Sequence, residues 1–173
     1  FSAAGRHAAN SPNAAPGGKS VWDNPGLEQY HGQDIFLTDA LCNEAIAALD
    51  QAVADDTPVF LHFAQYAVTA PLMANRALLD RYDGLHPTEA AYGTMIESVD
   101  NALGRILERL DHHGIAGNTI VVFTSDNGGA THFKATENAP LRRGKGFPYE
   151  GGLRVPFIVR WPGEVGAGRV IED

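Results

Sequence analysis

The stretch from Thr119 to Pro156 constrains this chain more than any other. Ile120, Val121, Val122 and Phe123 form a short apolar run that stops at Ser125, Asp126, Asn127, Gly128 and Gly129. A run of that kind, closed by a turn signal, is the pattern of a buried strand in a parallel sheet. Ligands of open α/β sheets bind just beyond the carboxyl ends of strands. Asp126 and Asn127 therefore stand where an α/β protein keeps its chemistry. The following loop is rich in Gly, Pro and charge, and it brings Arg142, Arg143 and Lys145 back towards the same region. The expectation is a hard-cation site beside an anion site. Taken alone, the same residues read more simply as a turn, because Asp, Asn and Gly dominate turns.

The flanking sequence supplies the rest of an α/β pattern. Thr38 to Ala54 reads as a helix capped by Thr38 or Asp39, with Leu41, Ala45, Ala48, Leu49, Ala52 and Val53 on one face. Cys42 lies inside it as a small, semi-buried hydrophobe. Pro58 to Ala64 reads as a second buried strand with His62 on a sheet face, running into a loop, Gln65 to Pro71, at a strand end. Thr88 to His112 is the clearest helix. Its apolar stripe is Tyr92, Met95, Ile96, Val99, Leu103, Ile106, Leu107 and Leu110. Gly114 suits the cap that follows, and His112 and His113 suit the negative end of the dipole. Val155 to Arg160 reads as a third strand, with Trp161, Pro162 and Gly163 turning out of it.

Alternating strands and helices predict a mainly parallel sheet with helices on both faces. Three strands make a small sheet, and parallel sheets need both faces covered, so an incomplete part of a larger sheet is expected. The chain of 173 residues has room for one core. It is expected to be a single partial domain: an irregular segment over residues 1–33, rich in Ala, Gly, Asn, Pro and Ser, and an α/β part over residues 34–173. A formal net charge of -8 argues against a general nucleic-acid binder. No apolar run approaches the ~20 residues of a membrane span. Cys42 is the single cysteine, which excludes an intrachain disulfide and a multi-cysteine zinc site.

Asp126 and Asn127 offer a carboxylate and an amide carbonyl side by side, the oxygen ligands that calcium and magnesium take. The nearby sequence lacks the carboxylates that would complete such a site, so remote residues must supply them. Lys145 lies between Gly144 and Gly146, where backbone can approach a ligand and an ammonium can meet an oxyanion. Arg142, Arg143 and Arg154 offer similar charge, or else pair with Glu137 or Glu150 on a solvated surface. The Gly144-Lys145-Gly146 triplet lacks phosphate-loop spacing. His132, just after the carboxylate–amide pair, meets substrate or solvent. Ser125 has no identifiable base beside it, and Thr69 on its strand-end loop offers a hydrogen bond to a ligand.

The order of these elements resembles the type I sulfatases, including the arylsulfatases and N-acetylgalactosamine-6-sulfatase-like enzymes. The residues that carry the resemblance are Tyr92 to Gly129, Asn138 to Arg142, Gly144-Lys145-Gly146 and Tyr149 to Pro156. Phe36 to Ala40 and Pro58 to Leu61 fit upstream. The resemblance implies an alkaline-phosphatase-like α/β fold and hydrolysis of a sulfate ester at a calcium or sometimes magnesium site. It further implies that Asp126 and Asn127 are metal ligands and that Lys145 contacts sulfate; Arg142 and His132 are the further candidate substrate contacts that the residues themselves offer. A sulfated small molecule or sugar is the implied partner, and a periplasmic or secreted location the implied compartment. Two departures matter. Cys42, in Leu41-Cys42-Asn43-Glu44-Ala45, does not match the motif that yields the family's formylglycine nucleophile, and the two upstream metal aspartates are absent; both belong to an N-terminal part of the catalytic domain. Thr69 stands where the family usually has a histidine, and threonine cannot exchange a proton near neutral pH. Two alternatives stay open: a non-catalytic remnant that binds a sulfated ligand or partner, and a related metal-dependent phosphoesterase.

Overall fold

The computed structural model describes Val21 and residues 24–171. The expectation of an irregular segment lies, for residues 1–20 and for 22 and 23, outside the described residues. Helix α1 is Leu37–Ala54 and helix α2 is Pro87–His112. Strands β1, Val121–Thr124, and β2, Phe157–Arg160, follow, with a four-residue helix α3, Glu150–Leu153, between them. The chain divides into two compact units, residues 1–106 and 107–173, and the division falls within α2.

In the first unit, α1 starts one residue earlier than its sequence signal. Phe36 occupies the capping position and no side chain caps the helix. Thr38 is instead buried, at 3% exposure, so neither expected cap forms. Val21, Leu27, Tyr30, Leu37 and Ala40 make one apolar cluster, with Ile35 and Leu41 against it. A second cluster joins α1 to α2 through Cys42, Ala45, Ala102 and Ile106, with Ile46 and Phe63 packed on it. Cys42 is wholly buried and its Sγ–H reaches the Ala102 carbonyl at 3.5 Å. That is the role expected of a small hydrophobe, and burial pushes its thiol pKa up. Ala48, expected on the inner face, is exposed.

The inner face of α2 is narrower and more polar than its apolar stripe suggests. Thr94 and Ser98 are fully buried, whereas Ile96 is 49% exposed. The reason is the segment leading to α2. Asn75 donates its backbone N–H to Thr94 Oγ1 at 3.0 Å and its side-chain amide to Ser98 Oγ at 3.0 Å. Its Oδ1 accepts from Ala77 N, capping a 3-10 segment, Arg76–Tyr82. Small residues let that backbone close on the helix, and the polar ones satisfy it. Gly93 works the same way, since a Cβ there would collide with the Tyr82 ring.

Pro58 to Ala64 forms no strand. The segment is irregular and mostly exposed, with Phe60 at 94% and His62 open to solvent. A strand requires a ladder partner, and β-propensity expresses packing against neighbours more than an intrinsic backbone preference. Among the described residues this apolar run has no ladder partner.

In the second unit, α2 ends as Gly114 predicts. Gly114 adopts φ +69°, its N–H bonds Asp111 O at 3.0 Å, and Ile115 N bonds Leu110 O at 3.1 Å. This pair of bonds is the Schellman arrangement, and glycine takes its left-handed position without a Cβ penalty. β1 and β2 pair antiparallel, with Val121 opposite Arg160 and Thr124 opposite Phe157. The third predicted strand is thus present, running against the central one. A largely parallel sheet commonly carries such an antiparallel strand. Arg160 reaches Asp111 at 3.4 Å, and the Trp161 indole donates to Gly117 O at 3.1 Å. The first ties β2 to the last turn of α2, and the second ties the residue after β2 to the segment that leads into β1.

Candidate functional site

The turn after β1 and the long loop before β2 are stitched together by their backbones. Gly128 N donates to Gly152 O, Lys145 N to Gly129 O and Gly151 N to Arg142 O, each at 3.0 Å. Such close approach depends on missing side chains. A Cβ on Gly128 would strike Gly151 O, and one on Gly144 would strike Gly129 O. Two glycine pairs far apart in sequence, Gly128-Gly129 and Gly151-Gly152, thus form the seam of the site.

Asn138 holds the loop from inside. Its side-chain amide donates to Gly129 O at 3.2 Å, Arg143 O at 3.0 Å and Gly151 O at 3.0 Å. Two N–H groups are shared among three carbonyls, one from each limb of the loop. Sequence reasoning placed Asn138 in a motif without giving it a role. The available signal was an Asn two residues before a Pro in a loop, a residue suited to bonding nearby backbone.

On this frame the sequence-predicted residues fall as follows. Asp126 is exposed and Asn127 half-buried, at the tip of the turn after β1. Ser125 Oγ donates to Asn127 O at 2.8 Å, which closes the turn and occupies that hydroxyl. Lys145 is half-buried and joined through its own N–H to the Gly128-Gly129 limb. The turn that carries Asp126 and Asn127 and the segment of Lys145 are therefore joined by backbone hydrogen bonds through Gly128 and Gly129. His132 is exposed in the 3-10 turn Thr131–Phe133 and its ring lies 4.1 Å from that of Phe133. Arg142 is exposed, with its guanidinium 3.9 Å from the Tyr149 ring centroid, and Arg143 lies 5.0 Å from that of Phe147. Neither arginine pairs with Glu137 or Glu150 among the described residues. Thr69 belongs to the first unit, half-buried in the turn that follows the irregular Pro58 to Ala64 segment.

Asp126 and Asn127 supply oxygen atoms, the right kind for calcium or magnesium, which take six or more ligands. Among the described residues no group of three or more His, Cys, Asp or Glu gathers to hold a metal. The pair fits a hard cation in kind and supplies only part of its shell. Nor does any helix of the described residues have the length and apolarity to cross a membrane.

Comparison with known proteins shows the family of the chain. A family model described as Sulfatase matches residues 7–172. The chain is 37% identical over 137 residues to N-acetylgalactosamine-6-sulfatase of Mus musculus, covering 78% of this chain and 25% of that protein. It is 36% identical over 156 residues to a sulfatase of Formosa agariphila, covering 83% of this chain and 28% of that one. The chain thus spans about a quarter of the length of these relatives. Among solved structures, that of Ps i-CgsB in complex with k-i-k-neocarrahexaose superposes with a TM-score of 0.74 at 37% identity, over 79% of this chain and 30% of that one. These likenesses carry the alkaline-phosphatase-like α/β fold class.

Proposed function

This chain belongs to the sulfatase family, and from that premise we propose that it forms part of a sulfuric-ester hydrolase site that binds a sulfate ester beside a calcium or magnesium ion. The observation that carries the reading is the bonding of Lys145 N to Gly129 O and of Gly128 N to Gly152 O. It ties the lysine to the turn bearing Asp126 and Asn127. In this reading those two residues would hold the cation through oxygen, and a bound cation would supply positive charge for the sulfate oxygens. Lys145 meets a sulfate oxygen as a point charge, favoured by its seat between two glycines. The stitched loop fixes the backbone from which that side chain extends before substrate arrives. Arg142, stacked on Tyr149, lies at the edge as a contact for the alcohol portion of the ester, and the exposed His132 offers a second.

Sulfated sugars are the substrate class we favour, because the relatives include an N-acetylgalactosamine-6-sulfatase and a structure with a bound neocarrahexaose. The nucleophile is a separate matter. Cys42 is wholly buried in an apolar cluster, donates to a helix carbonyl and has a raised pKa; its surroundings favour a structural thiol over a reactive one. Thr69 hydrogen-bonds but does not shuttle protons. The 173-residue chain by itself is therefore expected to bind without turnover.

Calorimetric titration tests this directly. Calcium is expected to bind weakly, in the range of about 0.1–1 mM found for sites with few charged ligands. Asp126→Ala should abolish calcium binding, and Lys145→Ala should abolish binding of a sugar monosulfate while leaving calcium binding intact. A chromogenic aryl sulfate should not be hydrolysed. Equal calcium affinity in wild type and Asp126→Ala would overturn the metal assignment. Metal-dependent turnover by the chain would overturn the inactivity.

A further inference from the structure

Two non-glycine residues of the loop are left-handed: Lys134, which ends a 3-10 turn at φ +54°, and Arg143. The φ of +65° at Arg143 lies in the left-handed region, where a side chain is disfavoured and glycine is the usual occupant. The loop has glycine to hand: Gly144 and Gly146 stand close by, and Gly146 itself takes φ +87°. The conformation is imposed by the surroundings. Arg143 O accepts from the Asn138 amide at 3.0 Å and lies so near Gly151 that a Cβ there would collide with it. An arginine kept in a backbone state that suits glycine points to a use for its side chain. That side chain is exposed and its guanidinium sits over the Phe147 ring, itself 42% exposed. No carboxylate pairs with it among the described residues. Stacking on an aromatic face leaves the N–H edges of a guanidinium directed outwards, ready for bidentate capture of an oxyanion.

Charge distribution points the same way. The chain carries a net -8, yet residues 130–154 hold five basic side chains (Lys134, Arg142, Arg143, Lys145 and Arg154) against two carboxylates, Glu137 and Glu150. One sulfate beside a cation does not call for so many. We propose that Arg143 and Phe147 form a second anion subsite, which takes an additional sulfate group on the sugar whose first sulfate lies at Lys145. The ligand class is thus a polysulfated saccharide. The inference rests on the sulfatase reading and goes beyond it, by making Arg143 a residue that selects for sulfation density.

The test compares galactose monosulfate with galactose disulfate as titrants of the full chain in calcium. Wild type is expected to prefer the disulfate by roughly tenfold, the scale of one charge-assisted contact. Arg143→Gly and Arg143→Asn should erase that preference and leave monosulfate affinity unchanged. Both replacements suit the left-handed backbone, so the thermal midpoint should hold or rise, and a loss cannot be ascribed to misfolding. Phe147→Leu should lower the preference in part. The proposal is overturned if either Arg143 variant keeps the full preference, or if both titrants weaken equally. Monosulfate binding without any preference in wild type sinks this subsite and spares the sulfatase reading. Failure of wild type to bind either titrant sinks both.

Discussion

Asn138 shares two N–H groups among the carbonyls of Gly129, Arg143 and Gly151. Those acceptors lie in the turn after β1 and in both limbs of the long loop, so one amide enforces the spacing that the site requires. Removing it takes a donor from the carbonyls of Arg143 and the buried Gly151, while Gly129 O keeps its bond from Lys145 N. Asn138→Ala is expected to cost about 1–3 kcal/mol, the scale of leaving such groups unsatisfied, and to weaken binding of a sugar monosulfate. Urea unfolding with a parallel titration checks both. Unchanged stability would show that water replaces the amide without loss. Arg143 illustrates the complementary lesson. Its residue type suggests surface charge, and only the backbone angle separates it from the neighbouring Arg142.

The helices show how far periodicity reaches at the level of elements. The 3.6-residue repeat located α2 to within one residue, because the spacing of apolar residues survives any detail of packing. It misplaced Ile96 and overlooked Thr94 and Ser98, because the segment around Asn75 packs there and demands polar, compact partners. Asp39, in the first turn of α1, belongs to the same polar group and accepts from the Asn75 amide at 3.3 Å. Burial raises its pKa above the usual aspartate value, against a smaller lowering by Arg105 and the Asn75 bond. The folded state therefore holds that proton more tightly than the unfolded chain does. Its contribution to stability is complete below the unfolded value and is lost as pH rises through the folded one. Asp39→Asn imitates the protonated form. It should match wild type near about pH 3 and exceed it in thermal midpoint at about pH 7. Thermal melts across that range decide the matter; a variant less stable than wild type at neutral pH would refute the sign.

Across the molecule, both strands leave apolar surface open. On β2, Phe157 is 70%, Ile158 57% and Val159 37% exposed; on β1, Val122 is 50% exposed. β1 pairs with β2 and with nothing else among the described residues. Open apolar strands with free edges are templates for association. The chain is expected to self-associate with rising concentration in sedimentation velocity runs. Ile158→Lys should shift it towards monomer without lowering calcium affinity, because β2 lies outside the loop that carries Asp126 and Asn127. A monomeric wild type across the concentration range would refute this.

Much of the candidate site was legible because its signals are local. A β-branched run, an abrupt Asp-Asn-Gly-Gly stop and a Gly-flanked lysine keep their meaning without knowledge of the neighbours. The C-terminal end of α2 was legible for the same reason, as Gly114 shows, whereas the caps expected for α1 did not form. The strand expected at Pro58 to Ala64 was not secured by its composition, since a ladder is a property of two segments and its partner cannot be read from one. The direction in which β2 runs, the close contact of Gly128 with Gly151 and Gly152, the three bonds of Asn138 and the left-handed Arg143 were likewise decided only by tertiary structure. Sequence determined which chemical groups are present and which stretches coil into helices. Packing determined which backbone groups meet across the loop, because hydrogen bonding between distant residues depends on distance and direction in space, and neither is written in their order along the chain.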